Sequence, residues 1–188
     1  MCKFRDLRAD EIECRVQSVK GDGLVLLLYK DARVDMNILD ETVGSSNWQR
    51  EHYECKGNLF CRVGIGIARQ NGESEWVWKS DCGTESNTEA QKGEASDSFK
   101  RACFNWGIGR ELYTAPNIKV KPEDCTALKQ YGDKWKCFDT FEVQKIIIEN
   151  KRICALAIMN KTTNRTCFVW QHPVWEAEQK RKKEQANA

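Results

Sequence analysis

Apolar and polar residues alternate over Leu59–Ile67, which is the period of a β-strand with one apolar face. Two shorter segments, Trp48–Cys55 and Glu75–Lys79, also have the pattern of strands, and the connections between the three are short. Because connections of this length cannot carry a parallel crossover, the pattern predicts an antiparallel meander.

A long helical pattern over residues 88–106 follows the meander. Thr88–Gln91 has the form of a capping box, and Gly107 is expected to stop the helix. We therefore expect the helix to pack one face on the meander, and we expect Trp76 and Trp78 to join that core. The apolar positions at helical spacing are Ala95, Phe99, Ala102, Cys103 and Trp106.

The remaining segments have weaker patterns. Residues 11–29 predict two strands around a glycine turn, and a short helix then ends at Gly44. Residues 114–133 are predicted as a connector, residues 134–170 as two or three strands, and the charged segment from residue 176 as a frayed helix or a disordered arm.

These elements predict an α+β fold, in which an antiparallel β-meander packs on a long helix and an additional C-terminal β-rich element follows. We expect a core over residues 1–115, a β-rich extension packed on it over residues 116–175, and a charged tail over residues 176–188.

Composition adds limits to this picture. With 188 residues, 40% hydrophobic and 31% charged, the chain is expected to form one globular domain or one domain with a small appendage. Its longest apolar runs are too short to span a bilayer, and no secretory signal is visible, so we expect a cytoplasmic protein without membrane contact.

Neither the net charge nor the spacing of the cysteines indicates a particular function. The formal net charge is +2, so any nucleic-acid site must gather its positive charge locally. The ten cysteines form no Cys-x-x-Cys pair and lie at no zinc-ligand spacing from a histidine. We therefore predict scattered structural thiols and no metal site, in preference to a metal centre or a disulfide framework.

Catalytic chemistry has little support. The two histidines, His52 and His172, have no recognisable nucleophile arrangement, and the chain lacks a Walker-type phosphate-binding loop. We predict no catalytic residues and no cofactor. Asp40 and Glu54 keep open the alternative of a metal-dependent nuclease.

A cationic pair on the long helix favours nucleic acid. Lys100 and Arg101 flank the apolar face, and Lys92 precedes them by two turns. Fixed cations suit a phosphate backbone, and arginine can hold two oxygens at once. A solvated helix flank, on which Lys100 pairs with Asp97 or Ser96, explains the same residues, and the pattern alone leaves both interpretations open.

Two segments carry a family resemblance. Asp31–Trp48 resembles the Arg-Val, helix and Asn-(Gly)-Trp segment of the Rad52 family. Gly93–Gly107 is similar to that family's Glu-Ala-x-x-Asp-x-Leu-Lys-Arg-Ala-x-x-x-Phe-Gly signature, although Phe104 stands where many members have a further arginine. The resemblance covers about residues 20–113, and the short chain is most similar to the phage-encoded members.

The resemblance implies a non-enzymatic, ATP-independent single-strand annealing protein that acts in homologous recombination and DNA repair. It implies a ring of identical chains with single-stranded DNA in a basic groove, in the host cytoplasm for a phage-encoded member, and a single-stranded-DNA-binding protein as a further partner. On the matching positions, Arg33, Lys100 and Arg101 would contact the DNA backbone, with Lys92 as a weaker candidate. A double-stranded RNA-binding module is a third hypothesis, suggested by the α+β pattern alone.

Overall fold

The computed structural model describes residues 3–69, 72–84 and 90–186, with backbone only at 90–92 and 186. It is a mixed structure of antiparallel sheets and helices, in agreement with the α+β class. In chain order the main elements are β1 (Glu13–Lys20), β2 (Gly23–Tyr29), α1 (Ala32–Val43), β3 (Trp48–Cys55), β4 (Asn58–Ala68), β5 (Ser74–Cys82), α2 (Ala90–Trp106), β6 (Ile118–Val120), β7 (Lys129–Tyr131), β8 (Lys134–Lys136), β9 (Phe141–Glu149), β10 (Arg152–Asn160), β11 (Arg165–Gln171) and α3 (Pro173–Ala186).

The chain divides into two compact units. Unit 1 comprises residues 1–6 and 31–110, and unit 2 comprises residues 7–30 and 111–188. This division differs from the expected one, because β1 and β2 belong to unit 2 together with the late strands. The functional division at residues 115 and 175 stays a prediction.

Unit 1 contains the predicted meander, with β3, β4 and β5 paired antiparallel in that order. The side chains of Cys61, Val63 and Ile65 on β4 are completely buried, and they lie on the side of the sheet that faces α2. The alternation of β4 therefore supplies the sheet half of the core. The helix half comes from the apolar face of α2, where Phe99, Ala102 and Cys103 are 0 to 1% exposed.

A glycine allows α2 to approach the end of β5 closely. A Cβ atom built on Gly83 would lie 2.2 Å from the backbone oxygen of Glu94 in α2. Any larger residue at position 83 would push the helix away from the sheet. The predicted capping box at Thr88–Gln91 lies outside the described residues, apart from the backbone of its last two members.

The prediction that Trp76 and Trp78 join the α2 core is wrong. They share one side of β5, with ring centroids 6.2 Å apart, but it is the side opposite to α2, and Trp76 is 40% exposed. There Trp78 lies against Gly64 on β4. Trp106, in contrast, reaches the covered side, where its Nε1 donates a hydrogen bond of 3.0 Å to the Val63 carbonyl oxygen.

Unit 2 contains a six-stranded sheet in the order β11-β10-β9-β1-β2-β6. The early hairpin β1–β2 joins the late meander β9–β10–β11 through antiparallel pairing of β1 with β9, where Glu13 lies opposite Glu142. The core of this unit includes Leu24, Leu26, Ile153 and others from both parts of the sheet. The predicted β-rich stretch over residues 134–170 is confirmed.

One weaker prediction changes, and for another the structure shows the helical alternative. The connector over residues 114–133 contains the short strand β6 and the first strand of a separate two-stranded hairpin, β7–β8. The charged segment from residue 176 is helical, as part of α3, through residue 186. None of the helices in the described part of the chain has the length and hydrophobicity required to cross a membrane.

Candidate nucleic-acid interface

The first predicted site residue, Arg33, lies in the first turn of α1. Asp31 is the N-cap of that helix, and its carboxylate accepts a hydrogen bond of 2.8 Å from the backbone N–H of Arg33. The same carboxylate accepts hydrogen bonds from the guanidinium Nη2 and Nε of Arg33, at 2.7 and 3.2 Å. The Arg33 side chain is nevertheless 80% exposed, so the pair presents the guanidinium to solvent.

The second predicted residue, Lys100, lies close to this pair. The hydrogen bonds from Arg33, with a smaller contribution from the positive charge of Lys100, lower the pKa of Asp31 to about 2. The charge of Lys100 on α2 therefore acts on the carboxylate at the start of α1, and the two helices are in contact. The fold thus brings together two cations that are 67 positions apart in the chain.

The third predicted residue, Arg101, faces the other flank of α2. Its Nε lies 3.3 Å from an oxygen of Asp81, near the end of β5, and its side chain is 43% exposed. Asn105, one turn later, donates a hydrogen bond of 3.2 Å to the second Asp81 oxygen. This half-exposed ion pair holds Arg101 beside the sheet edge, and a phosphate would have to compete with Asp81 for it.

Phe104 lies between these flanks, three residues after Arg101 and four after Lys100, which is the spacing of one helical face. The guanidinium of Arg110 lies 5.6 Å from the centre of the Phe104 ring. Arg110 also donates hydrogen bonds of 2.8 Å to the carbonyl oxygens of Phe104 and Asn105, which cap the end of α2. We call the residues Arg33, Lys100, Arg101 and Arg110 the cationic surface.

Arg110 is not among the residues that the sequence pattern indicated. The position of Arg110 depends on tertiary structure, because Gly107 and Gly109 turn the chain so that Arg110 returns to the end of α2. Gly107 has a φ of +101° and Gly109 a φ of +74°, which are conformations that favour glycine. An arginine two or three residues beyond a glycine helix stop could therefore have been considered as a cap.

The solvated-flank interpretation stays open, although the pairing of Lys100 with Asp97 that it includes is not seen among the described residues. Asp97, its proposed partner for Lys100, instead accepts hydrogen bonds from the backbone N–H and the hydroxyl of Thr84, both at 3.1 Å. Among the described residues, no carboxylate forms an ion pair with Lys100. Lys92 lies on α2, but its side chain is outside the described part of the structure.

For the nuclease alternative, Asp40 and Glu54 do not belong to a cluster of potential metal ligands in the described part of the chain. Asp40 accepts a hydrogen bond of 2.6 Å from Trp48 Nε1, and Glu54 lies exposed on β3. In the described part of the chain, one group of three potential metal ligands is found, and it consists of Cys125, Cys137 and Asp139 in unit 2.

Comparison with known proteins gives one match. The model of a family described as "Rad52/22 family double-strand break repair protein" matches residues 5–131. No curated protein and no solved structure matches the chain.

Proposed function

We propose that this chain, which belongs to the Rad52/22 family of double-strand break repair proteins, anneals complementary single strands of DNA without ATP. Membership of the family places it in DNA repair and recombination. The finer statement, that it binds the backbone of single-stranded DNA and promotes pairing, is our proposal. It rests chiefly on one observation, the cationic surface formed by residues of α1, α2 and the turn after α2.

This surface is notable because the chain as a whole is almost neutral. Thirty lysines and arginines are balanced by twenty-eight acidic residues, and four of these cations lie on α1, on α2 and in the turn after α2, all within unit 1. Cations that hold phosphates carry no sequence information, and they leave the base edges available. A strand held in this way can pair with its complement, and the binding step needs no nucleotide hydrolysis.

Arg110 removes a difficulty in the proposal. Phe104 replaces an arginine that the family resemblance would place one turn after the Lys100–Arg101 pair. Because the Arg110 guanidinium lies over the Phe104 ring, a cation still occupies this region. We propose that Arg110 supplies the missing phosphate contact and that Phe104 offers its ring edge to the strand.

We further propose that several copies act together in a ring. One chain with three or four cationic contacts would bind a strand weakly, whereas identical sites along one strand multiply the effective affinity. A head-to-tail interface that closes on itself forms such a ring. A low net charge limits the repulsion between neighbouring copies.

The experiment measures annealing of two complementary, fluorescently labelled oligonucleotides without ATP. The double variant Lys100→Ala/Arg101→Ala should lose at least about tenfold in annealing rate, and the salt dependence of strand binding should become less steep by about 1.4 per protomer, since each lost phosphate contact contributes about 0.7 on single strands. The matched control is Arg62→Ala, which removes a cation on the opposite side of the sheet, where Arg62 pairs with Glu51.

Circular dichroism and the elution volume of each variant show whether fold and assembly survive. Unchanged annealing by the folded double variant would overturn the site, and equal losses in the control would reduce the effect to net charge. Incubation with labelled DNA and Mg²⁺ tests the nuclease alternative, because cleavage products would support it. Competition with an RNA duplex tests the RNA-binding alternative, which requires the duplex to displace single-stranded DNA.

A further inference from the structure

Three residues that are not part of the cationic surface lie at the base of the hairpin β7–β8 in unit 2. Cys125 precedes β7, and Cys137 follows β8, with eleven residues between them. Their sulfur atoms and a carboxylate oxygen of Asp139 all lie within 4.8 Å of one another. The Cys125 thiol donates a hydrogen bond of 3.5 Å to the Lys121 carbonyl oxygen.

We propose that Cys125, Cys137 and Asp139 bind a structural Zn²⁺ ion that fastens the base of the β7–β8 hairpin. Thiolate and carboxylate oxygen are both established zinc ligands. A tetrahedral ion would take its fourth ligand from water. The proposal does not depend on the annealing function.

The carboxylate of Asp139 is the first argument for a cation. The residue is only 8% exposed, and among the described residues no lysine or arginine forms an ion pair with it. A buried carboxylate is costly unless a counter-ion or a metal compensates its charge. The two adjacent thiols become ligands when they lose their protons to an incoming cation.

The hydrogen bonds around Asp139 are the second argument. Thr126 donates to it from its hydroxyl at 2.5 Å and from its backbone N–H at 2.7 Å, and the Asn160 side chain donates at 2.8 Å. All three donors are neutral, so they orient the carboxylate without neutralising it. Donors that orient a ligand in this way are characteristic of the surroundings of bound metals.

The hairpin itself is the third argument. An isolated two-stranded hairpin is marginally stable in water, and this one has few buried side chains. The residues of β7 are all exposed, Tyr131 at 51%, and Phe138 just after β8 is 67% exposed. Trp135 packs against Gly21, which gives the hairpin a single apolar anchor. A metal ion bound at the base would stabilise the hairpin, to which its few buried side chains contribute little.

A disulfide between Cys125 and Cys137 is the rival explanation. Both cysteines are free thiols in the structure. A disulfide would also leave Asp139 buried without a counter-ion, whereas a metal ion accounts for all three residues. The test therefore has to separate the two under reducing conditions.

The test uses the full chain, purified in a reducing buffer without a histidine tag. Elemental analysis should find one zinc per chain after reconstitution and gel filtration. Zinc should slow the alkylation of Cys125 and Cys137 by N-ethylmaleimide by at least about tenfold, measured by peptide mapping, while the exposed Cys55 reacts equally with and without metal. Replacement of zinc by Co²⁺ should produce a thiolate-to-cobalt absorption band.

Two variants complete the design. Cys125→Ser should abolish stoichiometric zinc, and Cys55→Ser is the matched control that should retain it. Because Cys125→Ser could fail to fold, Thr126→Val provides a milder change that removes one orienting hydroxyl and should weaken zinc binding by about tenfold. Absence of stoichiometric zinc in the reduced wild type, or alkylation of Cys125 and Cys137 that zinc does not slow, would overturn the proposal.

Discussion

The contact between Arg101 and Asp81 decides how available this arginine is for phosphate. At 3.3 Å and with 43% of the arginine side chain exposed, the pair is a surface ion pair, and such pairs contribute at most about 1 kcal/mol. A phosphate can therefore replace Asp81 at little cost. The ion pair with Asp81 thus orients the Arg101 guanidinium without preventing it from binding phosphate.

This view predicts the effect of Asp81→Asn. The amide keeps one oxygen, which can accept from Asn105 or from the Cys82 backbone N–H, and it removes the charge that competes with DNA, so single-strand affinity should rise by up to about fivefold. Fluorescence anisotropy with a labelled oligonucleotide measures the change. In the Arg101→Ala background the same substitution should have a smaller effect, and an equal gain there would mean that Asp81 acts through general charge alone.

Asp31 leads to a prediction about pH. The hydrogen bonds from Arg33 lower the pKa of this carboxyl from 3.8 to about 2, so the folded chain binds fewer protons than the unfolded chain between these values. Its contribution to stability is present above about pH 4 and is lost as the pH falls toward 2. We expect wild type to lose more stability over this range than Asp31→Asn, in urea unfolding followed by circular dichroism. Parallel pH profiles for the two proteins would contradict this.

At the scale of elements, the contact between β5 and α2 depends on Gly83. A Cβ at this position would lie 2.2 Å from the Glu94 carbonyl oxygen, whereas a Cβ on Gly66 of β4 would meet only ordinary contacts at 3.8 Å. The first position therefore leaves no room for a side chain, and the second does.

We accordingly predict that Gly83→Ala destabilises the protein by about 2 kcal/mol or more, while Gly66→Ala changes stability by less than about 1 kcal/mol. Chemical denaturation gives both values. Because α2 carries Lys100 and Arg101, the Gly83 variant should also lose annealing activity. Similar stability of the two variants would show that α2 does not depend on this close approach.

The sequence predicted those elements whose signals are local. The alternation in β4, the apolar spacing in α2 and the glycine end of α1 each lie within one segment, and all three elements form as expected. The side of the sheet on which Trp76 lies could not be predicted. In the alternation of β5 the two tryptophans form the larger apolar face, yet it is Val77, on the other face, that lies on the α2 side. The register between β5 and β4 determines which face of β5 lies toward α2.

Long-range contacts account for the other failures. The partnership of β1 with β9 joins residues 13 and 142, and no local pattern indicates it. Arg110 and the trio of Cys125, Cys137 and Asp139 likewise acquire their neighbours only through turns and hairpins. Arg33, Lys100 and Arg101 were selected because they match positions of the family resemblance, and their contact with DNA stays a prediction.

At the scale of the whole molecule, the cationic surface is contained in unit 1, whereas the proposed zinc site is contained in unit 2. The family match at residues 5–131 includes all of the cationic surface and Cys125, but it ends before Cys137 and Asp139. The two proposals can thus succeed or fail separately, and the variants chosen for each leave the other set of residues unchanged.

The pairing of β1 with β9 also affects how the protein can be made on the ribosome. Translation proceeds from the N-terminus, so β1 and β2 emerge early, while β9 follows only after more than a hundred further residues. All strands and helices of unit 1 emerge in that interval. During synthesis the start of β1, at Glu13, therefore has no partner on that edge until β9 emerges, so the nascent hairpin exposes an unpaired strand edge that chaperones can shield.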